Sequence, residues 1–510
     1  MTPSRRAVLR SALALAAAAW VPGRAFAELR PRFVDHPFQL GVASGYPRPD
    51  GVTLWTRLVP VPWLPGGGME PTEVAVSWEV AEDEAFGKVV AAGKIGAFAE
   101  YAHAVHVDVR GLAPGRWYFY RFFVADEVSP TGRTRTAEGP GQGLDRLRVG
   151  FGSCQHYEQG WYVAQRALAR EDLDLCLFLG DYIYEATWGS NLVRRYATGE
   201  PTELEGYRQR WAQHKHDADL QALHQAAPCA AVWDDHEVDN DWAGEVSEHL
   251  DPRFLLRRAA AFQAFFEHLP LPRALRAAGR IHTELAFGEL ARVGMLDARS
   301  WRAPQACAPE GQSGSTVVSA KDCAALFAPD RAMLGAAQEA WLDGLWAQGR
   351  HTWSLVGQQT LVTSQSAGGG PERRIWTDGW EAYPAARRRF TEILRKAPNP
   401  LVLGGDTHCG TAADLRLDPD DPRSPVVAAE LCGTSFTSEG RPKEAGEQMV
   451  KDHPDIRWAS SHQRGYTVVE LGKGAAEATF KVVDEKRPSG EATVGARFRV
   501  EAGRRVLVPA

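Results

Sequence analysis

Leu173-Asp174-Leu175-Cys176-Leu177-Phe178-Leu179-Gly180-Asp181-Tyr182-Ile183-Tyr184 is a mostly apolar run that ends in a glycine and an acid. It lacks the regular polar alternation of a half-solvated strand, so it predicts a strand buried on both faces, as in a parallel or mixed sheet covered by helices. Three further stretches follow the same pattern. Leu147-Arg148-Val149-Gly150-Phe151-Gly152-Ser153-Cys154-Gln155-His156 delivers a thiol and an imidazole. Ala230-Ala231-Val232-Trp233-Asp234-Asp235-His236-Glu237-Val238-Asp239-Asn240-Asp241 delivers carboxylates around a histidine, and Leu401-Val402-Leu403-Gly404-Gly405-Asp406-Thr407-His408-Cys409 delivers another acid and imidazole. Amphipathic stretches between these runs, at residues 160–170 and 251–267, read as covering helices, so residues 146–510 are expected to form an α/β domain. In such sheets ligands bind beyond the carboxyl ends of the strands, where all four motifs fall. Glycine before Asp181 and Asp406 lets the chain turn sharply and aim the acid into a cleft.

Upstream the pattern changes. Residues 51–57, 73–79, 103–109 and 117–122 alternate apolar and polar positions, with Gly, Pro and Asp between them, which predicts a β-sandwich over residues 28–138. The turn Gly111-Leu112-Ala113-Pro114-Gly115 before an aromatic strand resembles a fibronectin-type-III-like module. Residues 138–143 read as a linker. A chain of 510 residues exceeds what one core usually supports, consistent with two domains.

Residues 1–27 read as an address. Arg5 and Arg6 precede a short apolar run at residues 12–21 and a small-residue cleavage site, Ala25-Phe26-Ala27. Ser4-Arg5-Arg6-Ala7-Val8-Leu9-Arg10 resembles a twin-arginine export signal, so the expected partner is the twin-arginine machinery and the expected location periplasmic or secreted. The apolar run is too short for a membrane span, and no later stretch is long enough. A formal net charge of −6 leaves no basic face for nucleic acid, and Arg387, Arg388 and Arg389 read as solvated helix positions. Of seven cysteines, Cys307 and Cys323 flank a Gly/Ser-rich loop that a disulfide would close. Cys176, Cys229, Cys409 and Cys432 fit either buried thiols or further pairs.

Several carboxylates converging with imidazoles, a thiolate and a phenol cannot all carry charge without a cation, so the strand ends predict a metal site. Thiolate and phenolate favour a trivalent or soft ion, whereas clustered carboxylates suit calcium, magnesium or manganese. In order and combination the motifs resemble the PhoD-type alkaline phosphatases and phosphodiesterases of the calcineurin-like metallophosphoesterase class. The matching pieces are residues 40–45, Gly152-Ser153-Cys154, residues 179–185, Trp233-Asp234-Asp235-His236-Glu237 and Gly404-Gly405-Asp406-Thr407-His408. The resemblance implies iron(III) held by Cys154, Asp181, Tyr184 and His408, bridged through Asp181 to calcium bound by Asp235 and Asp406. One departure is Ala382, where relatives usually have Gly; it is expected to affect packing near the pocket rather than the metals.

The implied reaction is attack of a metal-activated water on a phosphate ester, with no covalent enzyme intermediate. His236 then contacts a phosphate oxygen or protonates the leaving group, because imidazole titrates near neutrality. Arg299 is a candidate phosphate clamp, and His156 is expected at the surface or behind the ligands. Two rivals stay open at this point: a phospholipase D-like phosphodiesterase, and a non-catalytic surface-binding protein, which would have lost some ligands.

Overall fold

The computed structural model describes residues 31–367, 372–418 and 421–510; the export-signal reading lies outside them. Among the described residues, ten strands form one sheet. Its order is Val508–Pro509, Thr493–Glu501, Ala475–Val483, Arg464–Gly472, Arg146–Gly152, Leu175–Leu179, Cys229–Val232, Val42–Arg48, Gly51–Arg57 and Ala104–Arg110. A second sheet runs Thr283–Phe287, Ala291–Met295, Trp353–Gly357, Pro400–Gly404, Val426–Cys432, Gly410–Arg416 and Ile456–Ser460. The strands ending at Gly152, Leu179 and Val232 are parallel neighbours in the first sheet, as are those ending at Gly357, Gly404 and Cys432 in the second.

The buried runs work as their composition requires. Leu175–Leu179 is buried at every position. Along the second sheet, Leu355, Leu401 and Leu403 join Leu147, Val149 and Phe151 in a core shared with the first sheet. Val356 and Val402 alternate to the other face, against Leu342 and Phe390 of the helices Ala336–Leu345 and Pro384–Lys396. The period of two thus feeds two apolar layers at once, which explains why these strands show little alternation. The expected helices at 160–170 and 251–267 are Val163–Leu168 and Phe254–His268. No helix among the described residues is long and apolar enough to cross a membrane.

The N-terminal sandwich is present but is not a free-standing module. Its core gathers Val42, Val52, Leu54, Val76, Val80, Val107, Tyr120 and Phe122. One of its layers, Val42–Arg48, Gly51–Arg57 and Ala104–Arg110, continues the large sheet by parallel pairing of Gly45 with Cys229. The expected linker is likewise fixed in place: Glu138 is buried and ion-paired with Arg135, which also binds Asp174. Alternation within each strand could not reveal an edge-to-edge junction, because backbone pairing carries no side-chain signature.

Cys307 and Cys323 form a disulfide, while Cys154, Cys176, Cys229, Cys409 and Cys432 are buried free thiols. Ala382 is buried in the outer apolar layer. Arg387 departs from expectation: it is buried, with Nη1 3.2 Å from Ser364 Oγ, whereas Arg388 and Arg389 lie toward solvent.

Candidate metal centre

The ends of both sheets meet above their shared core. Gly180 adopts φ 99°, and a β-carbon there would lie 2.5 Å from Asp234 Cβ, so only glycine lets these two strand ends touch. A β-carbon on Gly405 would fall 2.1 Å from Ser153 Oγ, which brings the Asp406 turn against the Cys154 turn. Glu237 joins two motifs: its Oε2 accepts from Asp181 N (3.2 Å) and Asp234 N (2.8 Å), and its Oε1 from Tyr182 N (2.6 Å).

Four of the six expected ligands stand in the left-handed backbone region: Cys154 (φ 57°), Asp181 (53°), Asp406 (62°) and His408 (52°). Non-glycine residues avoid that region at a cost of about 1–3 kcal/mol each, and such strain concentrates at functional sites.

Two tight groups result. The ligand atoms of Cys154, Asp181 and His408 lie within 4.8 Å of one another, and so do those of Asp181, Asp235 and His236. Asp181 belongs to both. Tyr184 completes the first group, because its phenol donates to Asp181 Oδ2 at 2.9 Å and lies 3.3 Å from His408 Nε2. Asp406 belongs to neither tight group, although its charge acts on Cys154 and its own acidity responds to Asp234 and Asp235. Cys154, Asp181, Tyr184 and Asp235 form the buried floor, whereas His236, Asp406 and His408 are partly exposed and mark the opening.

Electrostatics mark the cluster as one that wants a cation. Burial, reinforced by Asp235, Asp234 and Glu237 and opposed by His236, raises the Asp181 carboxyl well above the usual range. Asp406 is raised similarly, by burial and then by Asp234 and Asp235. Burial, with Asp181 and Asp406 adding to it, also pushes the Cys154 thiol up. Asp181 Oδ1, Asp235 Oδ1, Asp234 Oδ2 and Asp406 Oδ2 are buried oxygens with no hydrogen-bond partner among the described residues. Such oxygens are costly unless something positive reaches them, so the donor set fits metal ions.

The histidines divide by their partners. His408 Nδ1 donates to Glu439 O at 2.7 Å, which leaves Nε2 as a lone pair facing Tyr184. His236 Nδ1 lies 2.7 Å from the buried Glu185 carboxylate. Burial alone would lower its basicity, but Glu185, Asp235 and Asp181 hold it well above its ordinary value. His156 is buried rather than on the surface; its Nδ1 accepts from Glu158 N and its ring packs 4.6 Å from that of Tyr184.

Arg299 does not stand open to a ligand. It is fully buried, with Nε donating to Asp234 at 2.5 Å and Nη1 and Nη2 to Asp378 at 3.0 and 2.6 Å. Its Nη2 lies 3.5 Å from Asp235, so it braces the floor beneath the ligands instead of clamping phosphate from above. Sequence reasoning also missed Glu185, Glu237, Ser438 and Arg464. Glu185 and Glu237 lie inside the matching motifs but were given no role there; Ser438 and Arg464 carried no local signal.

Profiles of known families match the chain along most of its length. The PhoD-like phosphatase profile covers residues 149–480, and the N-terminal domain profile of the same family covers residues 23–138. Alkaline phosphatase D of Bacillus subtilis (strain 168) is 38% identical over 470 residues, spanning 89% of this chain and 79% of that protein. A solved structure of PhoD superposes with a TM-score of 0.87 at 35% identity, over 94% of this chain and 93% of that one. A purple acid phosphatase from yellow lupin seeds shares the fold at a TM-score of 0.54 and 12% identity, over 90% and 73% of the two chains. With profiles, a curated relative and a solved structure agreeing over the same span, the chain belongs to the PhoD-like phosphatase family.

Proposed function

We propose that this chain hydrolyses phosphate esters at the strand-end cluster, with Cys154, Asp181, Tyr184 and His408 holding one metal ion and Asp235 and Asp406 contributing to a second. The family makes the chain a metal-dependent phosphoric ester hydrolase; iron(III) for the first position and calcium for the second are our assignments from donor chemistry and resemblance. The observation that carries the reading is the membership of Asp181 in both tight groups, so that this one carboxylate would be within reach of either ion. Bound there, the metals supply Lewis-acid polarisation of phosphoryl oxygens and an activated water at neutral pH.

The chain's own residues supply orientation and a proton. Glu185, with Oε1 held by Asn240 N at 3.0 Å, fixes His236 through Nδ1 and leaves its Nε2–H to serve the leaving oxygen. In this reading the proton passes from Nε2 to the departing alkoxide, and Glu185 stabilises the charged ring beforehand.

His236→Ala tests the assignment. Metal content should persist while turnover falls by about 10²–10⁴-fold, the usual contribution of a general acid. An alkyl phosphate should suffer more than a nitrophenyl ester, whose leaving anion needs little protonation. Because His236 also lies within the Asp181–Asp235 group, loss of metal from this variant, or equal losses on both esters, would reassign it as a ligand or a phosphate contact. The same assay with mono- and diesters defines substrate range.

Export through the twin-arginine route, to the periplasm or beyond, belongs to the same proposal and rests on Arg5 and Arg6. Undiminished export after changing both to Lys would refute it.

A further inference from the structure

Ser438 is fully buried beside the first ligand group, in a segment that touches three of its four members. Phe436 N donates to Ser153 O at 2.9 Å, Thr437 and Ser438 N donate to Cys154 O at 3.3 and 3.2 Å, and Glu439 O accepts from His408. Arg464 pins the segment. Its Nη1 donates to Ser435 Oγ at 2.7 Å and Ser438 O at 2.6 Å, and its Nη2 reaches Ser461 O at 2.9 Å and His408 O at 3.3 Å.

The Ser438 hydroxyl sits 2.8 Å from the Tyr184 phenol oxygen and 2.9 Å from Cys154 O. It has one proton for two acceptors. Cys154 O already receives two backbone N–H groups, so it does not depend on the hydroxyl. His156 N approaches Ser438 Oγ at 3.4 Å from the other side, where the serine accepts. In the structure the Tyr184 phenol gives its own proton to Asp181 Oδ2. A phenol that ligates a metal loses that proton, and its oxygen becomes a charged acceptor in a dry site. Ser438 is then the neighbouring side chain positioned to satisfy it.

We infer that Ser438 is the hydrogen-bond donor that tunes the Tyr184 phenolate, a positioning residue acting through a ligand rather than on substrate. The inference rests on the proposed role of Tyr184 at an iron(III) ion. A donor at the phenolate oxygen withdraws electron density, so it weakens donation to the metal and widens the phenolate-to-metal charge-transfer gap.

The test compares iron-loaded wild type with Ser438→Ala, Ser438→Cys and Ser438→Thr by visible absorption, iron content and circular dichroism. Ser438→Ala should keep its iron and fold while its charge-transfer band moves to longer wavelength by on the order of 20 nm, the size expected when a charged acceptor loses one hydrogen bond. Ser438→Cys, a weaker donor of similar size, should shift partway, and Ser438→Thr should restore the wild-type position. An unmoved band in iron-replete Ser438→Ala overturns the role of Ser438 and leaves Tyr184 as ligand. Loss of iron from a folded Ser438→Ala also overturns it, by making the serine a support for binding. Should Ser438→Ala fail to fold, Ser438→Cys and Ser438→Thr decide between the same outcomes. Iron-loaded wild type with no such band refutes the reading of Tyr184 itself, and the inference with it.

Discussion

Replacing Arg299 by methionine separates a bracing role from a substrate-binding one. The guanidinium is wholly buried and bridges Asp234 and Asp378. Each charge-assisted hydrogen bond contributes about 1.5–3 kcal/mol, but simple addition overstates the cost. Asp378 keeps Arg302 Nη1 at 2.7 Å and Gln305 Nε2 at 2.6 Å after the change, so Asp234, with Asp235 3.5 Å from the lost Nη2, is the acid left most uncompensated. The expected destabilisation is therefore about 3–5 kcal/mol, the cost of removing one side of a buried ion pair. Guanidinium-induced unfolding, followed by tryptophan fluorescence on chelator-treated protein, measures it without the added stability of bound metal. Trp242, whose carbonyl accepts from Arg299 Nη1 at 3.4 Å, lies beside the change and should report it. Adding Asp234→Leu to Arg299→Met should recover much of the loss, since an apolar replacement of a whole buried pair is close to neutral. A loss below about 1 kcal/mol in Arg299→Met, together with a tenfold rise in KM, would refute the bracing role and restore the phosphate clamp.

Asp181→Asn should lower both metal contents and cut turnover by more than about 10²-fold, since even the residues behind a ligand cost 10–100-fold when changed; normal turnover with full metal content would remove Asp181 from the site. Lys215 is buried with no hydrogen-bond partner for Nζ among the described residues; Nζ lies 4.0 Å from the Trp55 ring centroid, and burial lowers its pKa to about 7. The unfolded chain holds the extra proton between pH 7 and the ordinary lysine value near 10.5, so stability rises with pH across that window. Lys215→Met should accordingly stabilise most at pH 7 and below, on the order of 3–5 kcal/mol, with the gain fading toward pH 10; a pH-independent difference in unfolding midpoints would contradict it. Replacing Cys307 and Cys323 together by Ser should cost about 3 kcal/mol for the loop they close, and a thermal midpoint unchanged from wild type would show that the loop is held by other contacts.

Much of the candidate metal centre was legible as residue types at strand ends. Cys154, Asp181, Tyr184, Asp235, Asp406 and His408 each follow a buried run, and buried runs announce themselves by composition. Arg299 was misread because an arginine in a polar motif looks the same whether it faces a cleft or a carboxylate pair; only Asp378, 79 positions away, distinguishes the two. Ser438 lies in Gly433-Thr434-Ser435-Phe436-Thr437-Ser438, a small polar run with no period, and its partner Tyr184 is 254 positions upstream.

The sequence by itself determined the four motif strands, the strands of the N-terminal sandwich, the helices Val163–Leu168 and Phe254–His268, the disulfide loop and the kinds of donor atom at each motif's strand end. Those follow from short-range rules: apolar periodicity, glycine before an acid, and cysteine spacing. Only the tertiary structure decided that Arg299 is buried between Asp234 and Asp378, that Glu185 holds His236, and that the N-terminal sandwich extends the catalytic sheet through Gly45 and Cys229. The physical reason is that these relations join segments far apart in the chain. They are selected by the packing of two sheets on one core, and no local propensity encodes which strand ends that packing brings together.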